Sequence, residues 1–123
     1  MSANAGMTIY RQAKWAIEMT RAGKVLLGTD NPDTRPEVTE EGFVNTDNGL
    51  MYPIAGKRNH KFIIVLDPVM DLYTVYIWKA YQVGSKKFNE GKIGEVVAQF
   101  DDVYWDMLSD LLQSEHRKLL GYE

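Results

Sequence analysis

Two short runs dominate this chain: His60–Asp67 (HKFIIVLD) and Leu72–Val83 (LYTVYIWKAYQV), separated by Pro68-Val69-Met70-Asp71. Both are rich in β-branched and aromatic residues and carry them at period 2, the spacing of a strand. Four residues containing Pro and Asp make a reversal of hairpin length. The pair predicts an antiparallel hairpin around which every other segment must be arranged.

Alternation sorts the side chains of this hairpin. Phe62, Ile64 and Leu66 share one face of the first strand; Lys61, Ile63, Val65 and Asp67 share the other. In the second strand Tyr73, Val75, Ile77, Tyr81 and Val83 oppose Leu72, Thr74, Tyr76, Trp78, Ala80 and Gln82. Both faces are more apolar than a sheet with one wet side requires. Helices can cover one of them. The second, with Tyr76 and Trp78, has three readings: cross-strand packing, a dimer or partner surface, or an aromatic platform for a base.

The flanking segments supply helices and further strands. Thr8 to Gly23 reads as a helix, with Thr8 as N-cap, Ile9, Ala13, Ala16 and Ile17 as its apolar stripe, and Gly23 as its stop. Trp15 and Met19 lie beside the stripe and are expected to widen it. Met1 to Gly6 is small and polar, a disordered start or expression remnant, which leaves 7–123 as one domain. Lys24 to Gly28 predicts a short strand and Thr29 to Glu37 a loop. Gly42 to Gly56 predicts a hairpin turning at Asp47-Asn48-Gly49, with Pro53 at an edge or strand end. Gly84 to Lys92 is a polar turn region.

Ile93 to Phe100 fits two periods. Read as helix, it joins a stripe through Val103/Tyr104, Met107/Leu108 and Leu111/Leu112 into one helix of about 27 residues. Read as strand, it ends before Asp101-Asp102, either of which is a good N-cap for a terminal helix. Gly94 and the Asp pair favour strand, then helix. The expected architecture is α+β: an N-terminal helix, an antiparallel sheet of about four or five strands, and a C-terminal helix packed on one face.

Chemistry is sparse. A chain of 123 residues, 45% hydrophobic and 25% charged, is ordinary for one globular domain. It has no cysteine, which removes disulfides, thiolate metal sites and a cysteine nucleophile, and suggests a cytoplasmic setting. No Gly-rich phosphate loop, nucleophile elbow or HExxH motif is present. His60 and His116 have no carboxylate at co-ligand spacing, so neither metal nor cofactor is expected. His116, beside Arg117 and Lys118, suits the negative end of a helix. Asp67 and Asp71 are good turn formers before they are an acid/base pair.

Two charged stretches remain as candidates. Gly56 to Lys61 (GKRNHK) is a solvated turn or an anion contact; the second reading gives a nucleotide site in which Arg58, His60 and Lys61 meet the anion and Trp78 or Tyr81 stacks the base. Asp102, Asp106 and Asp110, with Asp101 alongside, stand at helical spacing as an acidic ridge, a solvated face or a surface that competes for a basic patch. Residues 95–123 carry seven acidic side chains against two basic ones, which argues against nucleic-acid binding. No run is long enough to span a bilayer, so no membrane partner is expected.

The C-terminal half carries a layout that resembles one family. Asn59 precedes an alternating strand ending in Leu66-Asp67; a turn gives Asp71-Leu72-Tyr73-Thr74-Val75; Val103-Tyr104 opens a helix containing Leu108; Leu120-Gly121-Tyr122 closes the chain. Over roughly residues 59–122 this is similar to small proteins, of no assigned activity, carried by phages and other bacterial mobile elements. Asn31 to Thr46 departs from that pattern as an insert. The resemblance transfers no functional residue. It implies an accessory protein of a mobile element that binds a host or phage protein, as a counter-defence factor does, and it supports the strand-then-helix reading. "EGKIGEVVAQFDD" gives a second likeness, to the nuclear transport factor 2-like fold, which implies an enzyme with an Asp inside a cone; the helix that fold needs before its central strands is missing from this sequence. Residue chemistry favours a non-enzymatic interaction module, with Tyr76 and Trp78 on a homodimer face and Asp102, Asp106 and Asp110 as further interface residues.

Overall fold

The computed structural model describes residues 5–28, 48–67 and 69–121. The expected loop 29–37, the Phe43/Val44 arm of the hairpin before Gly49, the insert at 31–46 and the chain's last two residues lie outside the described residues.

The order is α1 (Ala5–Thr20), β1 (Leu26–Leu27), β2 (Gly49–Pro53), β3 (His60–Asp67), β4 (Leu72–Ala80), α2 (Lys86–Asn89), β5 (Gly94–Val103) and α3 (Leu108–Leu119). The strands form one antiparallel sheet in sequence order, β1-β2-β3-β4-β5. This is the expected α+β arrangement, with α1 and α3 on the same face.

The β3–β4 hairpin anchors it. Phe62 faces Ile77, Ile64 faces Val75 and Leu66 faces Tyr73 across the ladder. Asp67 shapes the turn: its Oδ1 accepts from the backbone N–H of Val69 at 2.9 Å and of Met70 at 3.2 Å. Asp71 adopts φ 55°, a left-handed conformation that Asp tolerates, so both aspartates serve the reversal. Strand β4 stops at Ala80, short of the expected Val83. Tyr81 still donates its N–H to Ile93 O, but the Val83 side chain stands in solvent.

The covered face is built from Leu50, Tyr52, Phe62, Ile64, Tyr73, Val75, Ile77 and Val103, packed against Ile9, Ala13, Ala16 and Ile17 of α1 and Leu108 and Leu112 of α3. Small Ala13 and Ala16 let α1 lie close, and the helix kinks at Ala13 (φ −113°, ψ 15°). Three expectations for α1 are corrected. The helix ends at Thr20, where Arg21 turns to pair with Ile54, so Gly23 lies beyond its end rather than at its stop. Ala5 and Gly6 are buried parts of the helix, so Thr8 is inside it rather than its cap. Trp15 and Met19 do not widen the buried stripe; they are exposed, because the narrow Ile9-Ala13-Ala16-Ile17 face already fills the contact.

On the opposite face Ile63, Val65 and Trp78 form a second buried cluster, with Met51, Tyr76, Ala80 and Val96 packed around it. Trp78 is 6% exposed. Its ring lies over Gly94, its diagonal neighbour on β5, and Lys61 Nζ sits 5.7 Å from the ring centroid in a cation–π contact.

The ambiguous segment is a strand over residues 94–103. Two irregularities interrupt its pairing with β4, between Ile77 and Trp78 and between Tyr73 and Val75. The first leaves Val97 as an extra, exposed residue; the second places Asp101 and Asp102 opposite Thr74, with Asp102 at φ 55°. Because β5 runs on to Val103, neither Asp caps the terminal helix. The helix starts at Leu108, with Met107 as its N-cap and no side-chain cap.

Two buried phenols give the fold a pH limit. Burial pushes the Tyr52 hydroxyl above the ordinary phenol range, partly offset by its hydrogen bond with Thr20. Burial, with Asp71 nearby, raises Tyr73 to about 12, partly offset by the bond it donates to Gln12 Oε1. In the unfolded chain both titrate near 10. Above that pH the native state holds more protons than the unfolded one. Stability is therefore full below pH ~10 and falls above it, by up to ~1.4 kcal/mol per pH unit for each tyrosine. Urea midpoints at pH 9, 10 and 11 test this: a decline that Tyr73→Phe reduces is expected, and a flat profile is incompatible with it.

Candidate functional site

Antiparallel strands bring distant residues to common ends. The end of β3, the start of β4 and the end of β5 meet on one side of the sheet, since Asp67 pairs with Leu72 and Tyr73 with Val103. This end carries Asp67, Asp71, Asp101, Asp102, Asp106 and, in the first turn of α3, Asp110. All are exposed, and none forms an ion pair among the described residues, whose salt bridges are Lys14–Glu18 and Lys118–Glu115. Segments 66–73 and 99–110 contain no lysine or arginine.

The acidic end is also apolar. Val69 and Met70 in the turn, and Tyr104, Trp105 and Met107 in the β5–α3 junction, are exposed, Trp105 by 64% and Val69 by 88%. The sequence pattern sets Tyr104 and Met107 on a helical stripe. They are instead displayed because the strand continues to Val103 and residues 104–107 form a turn, closed by the bond from Met107 N–H to Tyr104 O at 3.0 Å. The acidic ridge is likewise not helical: Asp102 belongs to β5, Asp106 to the turn, and only Asp110 to α3. A β-bulge turns Asp101 and Asp102 outward together, a common use of bulges at sheet edges. Gln99 Nε2 donates to Asp101 Oδ1 at 2.9 Å. Tyr76, half-buried, has its hydroxyl pKa raised by burial and then by Asp101.

The other end is basic. The β2–β3 turn carries Lys57 and Arg58, β3 opens on His60 and Lys61, and Lys79, Lys86 and Lys87 follow at the end of β4 and in α2. The C-terminus of α3 also reaches this end: His116 Nε2 lies 2.8 Å from Ala55 O, an arrangement that puts the proton on Nε2. His60 Nδ1 lies 2.8 Å from Arg58 O, so its proton is on Nδ1.

The proposed nucleotide-binding set is divided by the fold. Lys61 and Trp78 pair with each other on the second sheet face, and Arg58 and His60 bond within their own turn. Tyr81 lines a cavity with Asn59, Lys79, Lys86 and Lys87, and Arg58, His60, Lys61 and Trp78 are not among its lining residues. The buried Trp78 ring has little surface left for stacking a base. Among the described residues every Asp is exposed, and no three His, Cys, Asp or Glu side chains converge as a metal ion requires. No described helix is long and apolar enough to cross a membrane.

Sequence reasoning missed the apolar part of the acidic end. The signal was present in DDVYWDM, where large apolar residues alternate with aspartates, but it became legible only once the helix start was fixed. No family model, no curated protein and no solved structure matches this chain.

Proposed function

We propose that this protein is a non-enzymatic docking module whose acidic, aromatic end engages a basic surface of a partner protein. One observation carries this reading: six aspartates, without ion pairs among the described residues, lie at the same end of the sheet as exposed Tyr104, Trp105, Met107, Val69 and Met70, and segments 66–73 and 99–110 carry no lysine or arginine. Apolar anchors with a charged rim are the anatomy of an interface, in which aromatic residues supply affinity and charges supply steering. Five large apolar side chains exposed at one end of the sheet, rather than a single one, are what marks an interaction site.

The complementary surface is one rich in Lys and Arg with aliphatic groups between them. Proteins use surfaces of that charge to hold nucleic-acid backbones, and a mobile-element protein that occupies one would act as a counter-defence or accessory factor in the cytoplasm. That biological setting rests on the resemblance in residues 59–122. A homodimer through Tyr76 and Trp78 is the less favoured arrangement, because Trp78 is already enclosed by its own chain.

The test uses an amphipathic helical peptide, with Leu at i, i+3, i+4 and i+7 spacing and Lys at the other positions, as a stand-in for the partner. Trp105→Ala should weaken its binding by about 30-fold, the loss typical of an interface hot spot. Asp101→Asn with Asp102→Asn and Asp106→Asn should lower the association rate and flatten its salt dependence. Equal affinity in wild type and both variants would rule out this end as the docking surface.

A further inference from the structure

We propose that the cavity between the β2–β3 turn, the end of β4 and the first turn of α2 binds the phosphate group of a small phosphorylated molecule. The cavity measures about 280 Å³ and is lined by Lys79, Lys86 and Lys87 together with Asn59, Tyr81 and Ser85. No acidic side chain lines it, and none of the three lysines has an ion pair among the described residues. Three ammonium groups around one concavity repel one another, and a dianion between them turns that repulsion into attraction. Lysine is a compact point charge with three donors, suited to the tetrahedral oxygens of phosphate.

The walls are held by backbone bonds rather than by the lysines themselves. Ala80 N–H donates to Asn59 O at 2.7 Å, fixing the turn against the strand end, and Asn59 keeps φ 65° there. Tyr81 N–H donates to Ile93 O at 2.9 Å. Ser85 Oγ accepts from Phe88 N–H at 3.3 Å, which starts α2 and sets the positions of Lys86 and Lys87. The volume lies just below the ~300 Å³ at which small-molecule pockets usually begin. It suits a phosphate with the sugar it esterifies, and Tyr81 is among the lining residues. Glu95 is the cross-strand neighbour of Lys79 and forms no ion pair with it, so it competes weakly with an incoming anion.

This site lies at the opposite end of the sheet from the docking surface, and the two stand or fall separately. Inorganic phosphate and a phosphoester share the recognised chemistry, so both are used as probes. Amide shift mapping and calorimetry with inorganic phosphate, ribose 5-phosphate and AMP should give saturable binding centred on residues 79–87, with the esters tighter. Lys86→Ala with Lys87→Ala should weaken ester binding about tenfold or more. Glu95→Gln should tighten it about twofold, and Lys118→Ala, on α3, should leave it unchanged. Both lysines are exposed, and an unchanged amide spectrum elsewhere shows that the variant folds; Lys79→Ala is the independent second variant. Absence of saturable shifts at 79–87, equal affinity for phosphate and both esters, or undiminished binding in the double variant would each overturn the proposal.

Discussion

Phe62→Ala is expected to lower stability by about 3–5 kcal/mol, a cost that few single side-chain truncations reach. Phe62 is fully buried at the centre of the covered face. It pairs with Tyr52 across the β2–β3 ladder and with Ile77 across β3–β4. Its ring lies 5.5 Å from that of Tyr52, tilted by 43°, a geometry that adds to simple area burial. Truncation opens a cavity beneath α1 that two ladders and a helix prevent from collapsing. A domain with a typical stability of ~5–15 kcal/mol would lose a large fraction of it. Urea unfolding followed by circular dichroism measures the change. A loss under ~1 kcal/mol would mean that Phe62 is not enclosed as described.

Gly94→Ala is expected to cost about 3 kcal/mol, at the upper end for added volume in a packed site. A Cβ on Gly94 would collide with Cε2 and Cζ2 of Trp78 and stand 2.7 Å from the carbonyl oxygen of Lys79. The carbonyl belongs to the ladder and cannot move away, so the indole must. Trp78 is held beneath Lys61 and beside Ile63, Val65 and Val96, and among the described residues its Nε1 has no hydrogen-bond partner. The pairing of an aromatic ring with a diagonal glycine is a known device for filling the gap that a strand glycine leaves. Trp78→Leu removes the obstacle, so the double variant should recover part of the loss. A stable Gly94→Ala protein with unchanged tryptophan fluorescence would contradict this packing.

Phe62 and Gly94 differ in how far their roles could be read from residues alone. The β3–β4 hairpin that holds Phe62 is legible because its period and its four-residue connection agree, and agreement between levels is what specifies a structure. The strand assignment of 94–100 follows from Gly94 and Asp101-Asp102, which weaken a helix. Alternation cannot show the pair of bulges. They depend on how β5 is registered against β4, a non-local fact, and they decide that Val97 is exposed and that Asp101 and Asp102 point outward together. The exposure of Trp15 and Met19 has a similar origin: a helix face is chosen by what packs on it, and Ala13 and Ala16 permit a closer contact than a Trp would.

The site is legible in pieces. Asp102, Asp106 and Asp110 stand out as a cluster, but the helix that their spacing implies does not reach the first two. Asp67 and Asp71 have the chemistry of turn residues, and they shape a turn; that they join the other four follows only from the antiparallel order. The basic residues divide in the same way, with Arg58, His60 and Lys61 going to a turn and a strand, and Lys79, Lys86 and Lys87 to a cavity that no local motif announces.

If this protein is a docking module, partners approach the end of the sheet formed by residues 67–72 and 101–110. Amide shift mapping with the Lys/Leu peptide at low salt tests this most directly. Perturbations should be confined to Val69–Asp71 and to 101–110, and should need about 30-fold more peptide in a folded Trp105→Ala variant. Perturbations centred on Trp15 and Met19 of α1, or none at millimolar peptide, would contradict it.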